Sequence, residues 1–212
     1  MFSISRRNLA LTSLAALAAA QTHAQGQNRN KTFVLVHGAW HGGWCWKLVR
    51  DALAAQGHQV FTPTLTGLGE RSHLMSRNIT LQTHIYDVAN VFLSEDLRDV
   101  CLVGHSYGGW PISGAMEKIG DRVSSLVYLD AFMPENGQRV LDLQPPKAAQ
   151  EQTEAWERGD VSRLPPKASF FLVKPENQKW VDEKMTAQPL GVQFNAITLT
   201  GARDKAPKKA YI

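Results

Sequence analysis

The segment Gly104-His105-Ser106-Tyr107-Gly108 has the G-x-S-x-G spacing of a nucleophile elbow. The serine at its centre can attack a carbonyl carbon, provided that a base takes up the hydroxyl proton. The glycines two positions before and after it carry no Cβ, which leaves room for a sharp, strained turn that exposes the hydroxyl. Because so short a pattern also recurs by chance, its interpretation depends on the elements around it.

A carbonyl group attacked by Ser106 develops negative charge on its oxygen, which two preorganised N–H donors must stabilise. The backbone N–H of Tyr107 is one candidate, because it follows the nucleophile at the start of a helix. The turn His37-Gly38-Ala39 follows an apolar strand and offers the second donor, which we assign to the Ala39 N–H. His37 is then expected to brace this turn rather than to accept a proton.

The histidine that would activate Ser106 is not found at the expected place. In chains with this elbow, an Asp or Glu and then a histidine follow the serine, but no histidine follows Ser106. His105 adjoins the nucleophile and is expected to point away from its hydroxyl. Other upstream histidines are expected to pack or to lie on the surface: His41, His58, His73 and His84. Asp130 ends an apolar strand and either orients a histidine as the acid or caps the turn before Ala131, and capping is favoured.

Strand–turn–helix context supports the elbow. An apolar strand at 99–103 precedes Ser106, and residues 110–119 have the spacing of a helix that Gly120 ends. The same alternation continues along the chain. Strands are predicted at 32–36, 59–62 and 123–129, and helices at 44–55 and 83–93. Because these strands are apolar throughout, the pattern predicts an α/β fold with a mostly parallel sheet and helices on both faces.

Residues 134–191 have a different pattern, in which prolines interrupt short helical segments. We predict that they form a small helical cap above the sheet, within the same domain. The aromatic residues of this segment either line a substrate pocket or pack the cap against the core: Trp156, Phe170, Phe171 and Trp180. After the cap, residues 196–200 and 210–212 regain the character of strands.

Residues 1–24 have the pattern of an export signal rather than of a fold. Arg6 and Arg7 form a twin-arginine pair, an apolar region covers 9–20, and Thr22-His23-Ala24 offers a cleavage site. The apolar region is too short to be a stable membrane anchor. We therefore expect residues 25–212 to be a single domain exported to a bacterial periplasm, with an ordinary secretory signal or an uncleaved anchor as the alternatives.

Charge and composition argue against several other classes. The formal net charge of +4 includes both arginines of the leader, and no basic stripe indicates a nucleic-acid partner. Since no His or Cys pattern has metal-ligand spacing, no metal site is predicted. An oxidising compartment would permit a disulfide between Cys45 and Cys101, although a buried free thiol at Cys101 is favoured. The oligomeric state is left open.

These motifs together resemble the branch of the α/β-hydrolase superfamily that contains plant salicylate methylesterases, hydroxynitrile lyases and related bacterial esterases. The similar stretches are 33–44, 102–109, 128–134 and 199–204. The resemblance implies an α/β-hydrolase fold with a small helical cap, no cofactor, and cleavage of a small-molecule carboxylic ester through an acyl-enzyme. It also implies that Ser106 is the nucleophile and that Ala39 and Tyr107 supply the oxyanion hole.

The sequence departs from this family at its C-terminus. By the resemblance, the triad acid and the histidine belong after the strand that begins near Tyr211, whereas the printed chain ends at Ile212. We therefore expect the last strand and helix to be missing and the printed chain to be nearly inactive. The alternatives are a non-catalytic binding protein that keeps the pocket, and an enzyme of the hydroxynitrile lyase type in its full-length form.

Overall fold

The structure is a computed structural model, and it describes residues 30–212. The export signal predicted at 1–24 lies outside these residues. The strands are β1 (Thr32–Val36), β2 (Gln59–Phe61), β3 (Val100–His105), β4 (Val123–Leu129), β5 (Ser162–Arg163), β6 (Gln188–Pro189) and β7 (Lys209–Tyr211). The helices are α1 (Lys47–Ala55), α2 (Leu81–Ser94), α3 (Gly109–Ile119), α4 (Pro146–Glu157) and α5 (Pro175–Lys184).

A five-stranded sheet forms the centre of the fold, with the strand order β2-β1-β3-β4-β7. Every pairing within this sheet is parallel. Because parallel neighbours cannot be joined by a hairpin, α1, α2 and α3 fill the connections between the first four strands. The prediction of an α/β fold with a mostly parallel sheet is confirmed.

Alternate residues of the strands enter apolar clusters on opposite faces of the sheet. On one face, Val34 of β1 packs in a cluster that contains Trp110 of α3 and Phe92 of α2, both fully buried. On the other face, Leu35 of β1 packs in a cluster to which Leu53 of α1 contributes. Helices therefore lie on both faces, as the apolar character of the strands predicted.

Most predicted elements are present, with shifted ends. The helix predicted for 44–55 begins as a 3₁₀ turn at Gly43–Trp46 and continues as α1. The strand character predicted for 196–200 is wrong, because the N–H groups of Leu199 and Thr200 donate to side-chain oxygens instead of to a neighbouring strand. The strand character predicted for 210–212 is confirmed by β7, which covers Lys209–Tyr211.

The segment 134–191 contains short helices and one small antiparallel ribbon. α4 and α5 each begin with a proline, whose missing N–H would have no acceptor in the first helical turn anyway. β5 follows α4, β6 follows α5, and the two strands pair so that Arg163 lies opposite Gln188. Just before β6, the Thr186 N–H donates to the Trp40 carbonyl at 2.9 Å, which attaches the ribbon to the turn after β1. That this segment is a cap within one domain stays a prediction.

None of the helices in the described part of the chain is long and apolar enough to cross a membrane. Within residues 30–212, no three side chains of His, Cys, Asp or Glu are grouped so that they could hold a metal ion. Cys45 and Cys101 are both free thiols, and burial raises the pKa of Cys45 to about 12. The disulfide considered from the sequence is therefore not formed.

Candidate active site

Ser106 lies between the end of β3 and the start of α3, in a 3₁₀ turn that covers Ser106–Gly108. Its φ angle of 50° is in the left-handed region, which a serine adopts only at a steric cost. Strain of this kind persists only where the surrounding structure imposes it, and it is concentrated at functional sites. The strand–turn–helix context that the motif requires is present.

Both glycines of the motif lie where a side chain would not fit. A Cβ on Gly104 would be 2.6 Å from Cδ1 of Ile112 and 2.8 Å from the Gly108 carbonyl oxygen. A Cβ on Gly108 would be 2.8 Å from two carbonyl oxygens of the chain that leaves β1. Because the two backbones approach so closely, Ser106 is held beside the turn after β1.

That turn carries the second residue predicted for the oxyanion hole. A Cβ on Gly38 would be 3.1 Å from Cβ of Ser106, so the turn passes directly beside the nucleophile. Ala39 is buried, and among the residues that the structure describes its N–H donates no hydrogen bond. Tyr107, on the other side of the serine, is buried as well. An unused N–H on a turn that passes beside the nucleophile is suited to stabilise a developing oxyanion.

His37 fixes this turn from inside the protein. Its ring is fully buried, Nδ1 donates to the Gly38 carbonyl at 2.8 Å, and Nε2 accepts the Leu65 N–H at 3.1 Å. Burial lowers the pKa of His37 to about 3, so the ring is neutral, as an Nε2 that accepts a hydrogen bond requires. Since backbone groups occupy both ring nitrogens, the geometry agrees with the predicted bracing role.

A second buried histidine, His84 of α2, holds the side chain of Tyr107. Its Nε2 donates to the Thr66 carbonyl at 2.9 Å, and its Nδ1 accepts the Tyr107 hydroxyl at 2.9 Å. Burial lowers the pKa of His84 to about 4 and raises that of Tyr107. From the sequence we expected only packing or surface exposure for His84, because nothing local marks a bond between residues 23 positions apart.

No histidine in the described part of the chain is hydrogen-bonded to the Ser106 hydroxyl. Nδ1 of His41 donates to the Ala39 carbonyl at 2.7 Å. The His105 ring lies edge-on to Trp46, a residue of the apolar cluster on the α1 face of the sheet. Burial lowers the pKa of both His41 and His105.

Asp130 directly follows β4, is exposed and has a φ angle of 41°. Its N–H donates to the Ile212 carbonyl at 2.7 Å. Within residues 30–212, its carboxylate forms no hydrogen bond, so it neither holds a histidine there nor caps the turn. The capping bond that the sequence favoured is thus not formed, and the role of Asp130 as an acid stays a prediction.

Residues 33–209 match the profile of the alpha/beta hydrolase family. The chain belongs to the alpha/beta hydrolase family. Among its relatives, a carbendazim hydrolyzing esterase of Nocardioides sp. (strain SG-4G) is 42% identical over 190 residues, which are 85% of this chain and 78% of that protein. Salicylic acid-binding protein 2 of Nicotiana tabacum is 40% identical over 108 residues, which are 50% of this chain and 41% of that protein.

A solved structure supports the same fold. An extracellular alpha/beta-hydrolase from a Paenibacillus species, described as sharing structural and functional homology with tobacco salicylic acid binding protein 2, superposes with a TM-score of 0.75 at 26% identity. The superposition covers 85% of this chain and 76% of that chain. The plant methylesterases match over less of their length, since the aligned part is 42% of methylesterase 2 of Arabidopsis thaliana. Because the relatives are esterases and methylesterases, this α/β-hydrolase is a carboxylic-ester hydrolase by family resemblance.

Two of the four aromatic residues of the predicted cap pack against the segment after β1, whereas Trp156 packs against Phe194 and Phe170 is exposed. Phe171 lies against the rings of Trp40 and His41, with centroid distances of 5.8 and 5.4 Å. The Trp180 ring lies edge-on to Trp44 at 5.1 Å. These contacts join α5 and the preceding 3₁₀ turn to the segment that carries the candidate oxyanion donor.

Two further side chains near this turn were not predicted. The guanidinium of Arg163 lies over the ring of Trp40, with its carbon 4.2 Å from the centroid. Oε1 of Gln188 accepts the Trp40 N–H at 2.9 Å, across 148 positions of sequence. Since both residues belong to strands of only two residues among prolines and loops, no periodic pattern marks them.

Proposed function

We propose that this α/β-hydrolase cleaves a small-molecule carboxylic ester by acyl transfer to Ser106. The observation that carries this proposal is the left-handed backbone of Ser106 between β3 and α3, with the unused Ala39 N–H on the adjacent turn. The esterase that is named for carbendazim hydrolysis supports an ester substrate, because it is 42% identical over most of this chain.

The proposed reaction has two stages. The Ser106 oxygen forms a bond to the ester carbonyl carbon, and the N–H groups of Ala39 and Tyr107 donate to the carbonyl oxygen as it becomes negative. The alcohol then leaves with a proton, which produces an acyl-enzyme. Water attacks the acyl carbon in the second stage, releases the acid and restores the Ser106 hydroxyl.

The Ser106 proton needs an acceptor, and residues 30–212 place no histidine in a hydrogen bond with it. His37 and His84 use both ring nitrogens for other bonds, which leaves neither free to act as a base. We therefore propose that the printed chain turns over slowly, at a residual rate that the oxyanion donors and substrate binding support. In a serine protease that uses the same triad chemistry on a different fold, loss of the triad lowers kcat on the order of a million-fold.

Hydrolysis of 4-nitrophenyl acetate by the full printed chain, with and without added imidazole, tests this proposal. Imidazole can act as the base, so it should raise the turnover of the parent above that of Ser106→Ala. The Ser106→Ala variant measures the direct reaction of imidazole with the ester. Ser72→Ala, at an exposed serine, is the matched control and should behave as the parent. Turnover that is independent of Ser106 under both conditions would show that the nucleophile is wrongly assigned, and fast turnover without imidazole would show that the chain supplies its own base.

A ligand-binding protein without turnover is the second candidate. No histidine among residues 30–212 is hydrogen-bonded to Ser106, which favours this function, and one relative is named for salicylic acid binding. Salicylate binding that survives Ser106→Ala, with no hydrolysis by either form, would select this function over the esterase.

A further inference from the structure

Three side chains with N–H donors meet where the β5–β6 ribbon contacts the turn after β1. Arg163 and Gln188 lie opposite each other in the ribbon, and the Arg163 guanidinium covers the ring of Trp40. Oε1 of Gln188 accepts the Trp40 backbone N–H, which fixes the orientation of the Gln188 side-chain amide and leaves Nε2 out of this bond. We call these three residues, Trp40, Arg163 and Gln188, the donor cluster.

Each member of the donor cluster has a buried N–H without an acceptor. Nε of Arg163, Nε2 of Gln188 and Nε1 of Trp40 form no hydrogen bond with the residues that the structure describes. In the same part of the chain, none of the ion pairs between side chains includes Arg163. An unpaired buried donor costs about 1–3 kcal/mol, and the partly buried Arg163 also has no counter-charge among the described residues. The cluster is therefore complementary to a group that only accepts hydrogen bonds.

The donor cluster adjoins the residues of the proposed acyl-transfer site. Trp40 directly follows Ala39, and its φ angle of 63° shows that surrounding contacts hold it in place. Tyr107 lies close enough to Arg163 for each side chain to affect the pKa of the other. Burial lowers the pKa of Arg163 to about 10, so the guanidinium keeps its charge at neutral pH.

We propose that the donor cluster binds a carboxylate of the substrate, next to the ester carbonyl that Ser106 attacks. This inference rests on the proposed function and names its substrate class: esters that carry a separate carboxylate in the acyl or alcohol part. One cation and two neutral donors match the acceptor-only oxygens of a carboxylate, and hydrogen bonds of this charged kind are stronger than neutral ones. A neutral ester of the same shape would leave the guanidinium without a counter-charge.

Binding to the Ser106→Ala form separates recognition from hydrolysis. The probes are benzoate and benzamide, which have similar shapes and differ in charge, and titration calorimetry measures both. Benzoate should bind roughly ten- to hundredfold more tightly, as expected for a hydrogen bond to a charged group. Arg163→Gln in the same background should remove this preference, and Arg163→Lys should keep part of it. The matched control is Arg158→Gln, at an exposed arginine paired with Asp160, and it should keep the full preference.

Equal affinity for the two probes, or a preference for benzoate that persists in Arg163→Gln, would overturn the inference. If Arg163→Gln does not fold, the ratio of the two affinities in the Ser106→Ala form and in Arg163→Lys still decides. A preference for benzoate that depends on Arg163, without any hydrolysis that depends on Ser106, would support the carboxylate site and reject the esterase. Ser106-dependent hydrolysis without the preference would reject the carboxylate site alone.

Discussion

Acidification tests how His37 supports the turn that carries Ala39. In the folded protein the pKa of His37 is about 3, because the ring is buried, whereas its ordinary value is 6.5. Below pH 6.5 the unfolded chain therefore binds a proton that the folded chain does not bind. The free energy of unfolding should fall as the pH falls from 6.5 toward 3, and this contribution of His37 should be complete above 6.5.

The size of the loss follows from the two pKa values. Each pH unit below the ordinary pKa corresponds to about 1.4 kcal/mol while only the unfolded chain is protonated, so His37 accounts for about 2 kcal/mol at about pH 5. His84, with a pKa of about 4 in the folded protein, contributes over the narrower range between 6.5 and 4. At about pH 5 the two losses are of similar size, so His37→Gln should remove about half of the combined effect.

Urea unfolding followed by tryptophan fluorescence, at about pH 7.5 and about pH 5, measures this effect. The parent should lose more stability on acidification than His37→Gln, by about 2 kcal/mol. His73→Gln, at an exposed histidine, is the control and should lose as much as the parent. The same loss in the parent and in His37→Gln would refute the assignment of a neutral, bracing His37.

Three further changes have defined outcomes. Gly108→Ala should lower the free energy of unfolding by about 1–3 kcal/mol, because the added Cβ would lie 2.8 Å from two carbonyl oxygens. Gly120→Ala is the control and should change this free energy little, because its added Cβ would have its nearest contact at 3.6 Å. His84→Phe should lower it by about 1–3 kcal/mol in urea unfolding, because the buried Tyr107 hydroxyl loses its acceptor; an unchanged midpoint would contradict this. We propose that Arg6 and Arg7 direct export; Arg6→Lys with Arg7→Lys should then keep the protein in the cytoplasm, which cell fractionation checks, and unchanged export would favour an ordinary secretory signal.

Local patterns predicted the sheet and the elbow because each is fixed by nearby residues. Strands buried on both faces need apolar residues at successive positions, which is why β1, β3 and β4 could be found. The spacing of Gly104 and Gly108 located the turn at Ser106, since both positions lie too close to other atoms for a Cβ. The turn after the first apolar strand suggested Ala39, and the structure places this turn beside the serine.

Apolar and β-branched runs were misleading where no neighbouring strand is available. Residues 196–200 have strand character, but the N–H groups of Leu199 and Thr200 donate to the side chains of Asn136 and Glu117. Leu65, between β2 and α2, is fully buried although it belongs to no helix or strand. In both places the fold depends on tertiary partners, and propensity carries no information about them.

Contacts between distant elements could not be predicted at all. The bond from Tyr107 to His84 requires α2 and the elbow to pack together, and the bond from Trp40 to Gln188 joins residues 148 positions apart. Arg163 lies in a two-residue strand that has no periodic pattern of its own. The side chains that would select a substrate were for this reason less predictable than the nucleophile.

Mass spectrometry of the chain after reaction with 4-nitrophenyl acetate is the most direct test of the central claim. The claim is that Ser106 is a nucleophile to which residues 30–212 supply no base. The expected result is one acetyl group on Ser106, formed slowly alone and faster with imidazole, and none at this position in Ser106→Ala. Acetylation of other residues with Ser106 unmodified would contradict its role as the nucleophile. Rapid acetylation of Ser106 without imidazole would contradict the lack of a base.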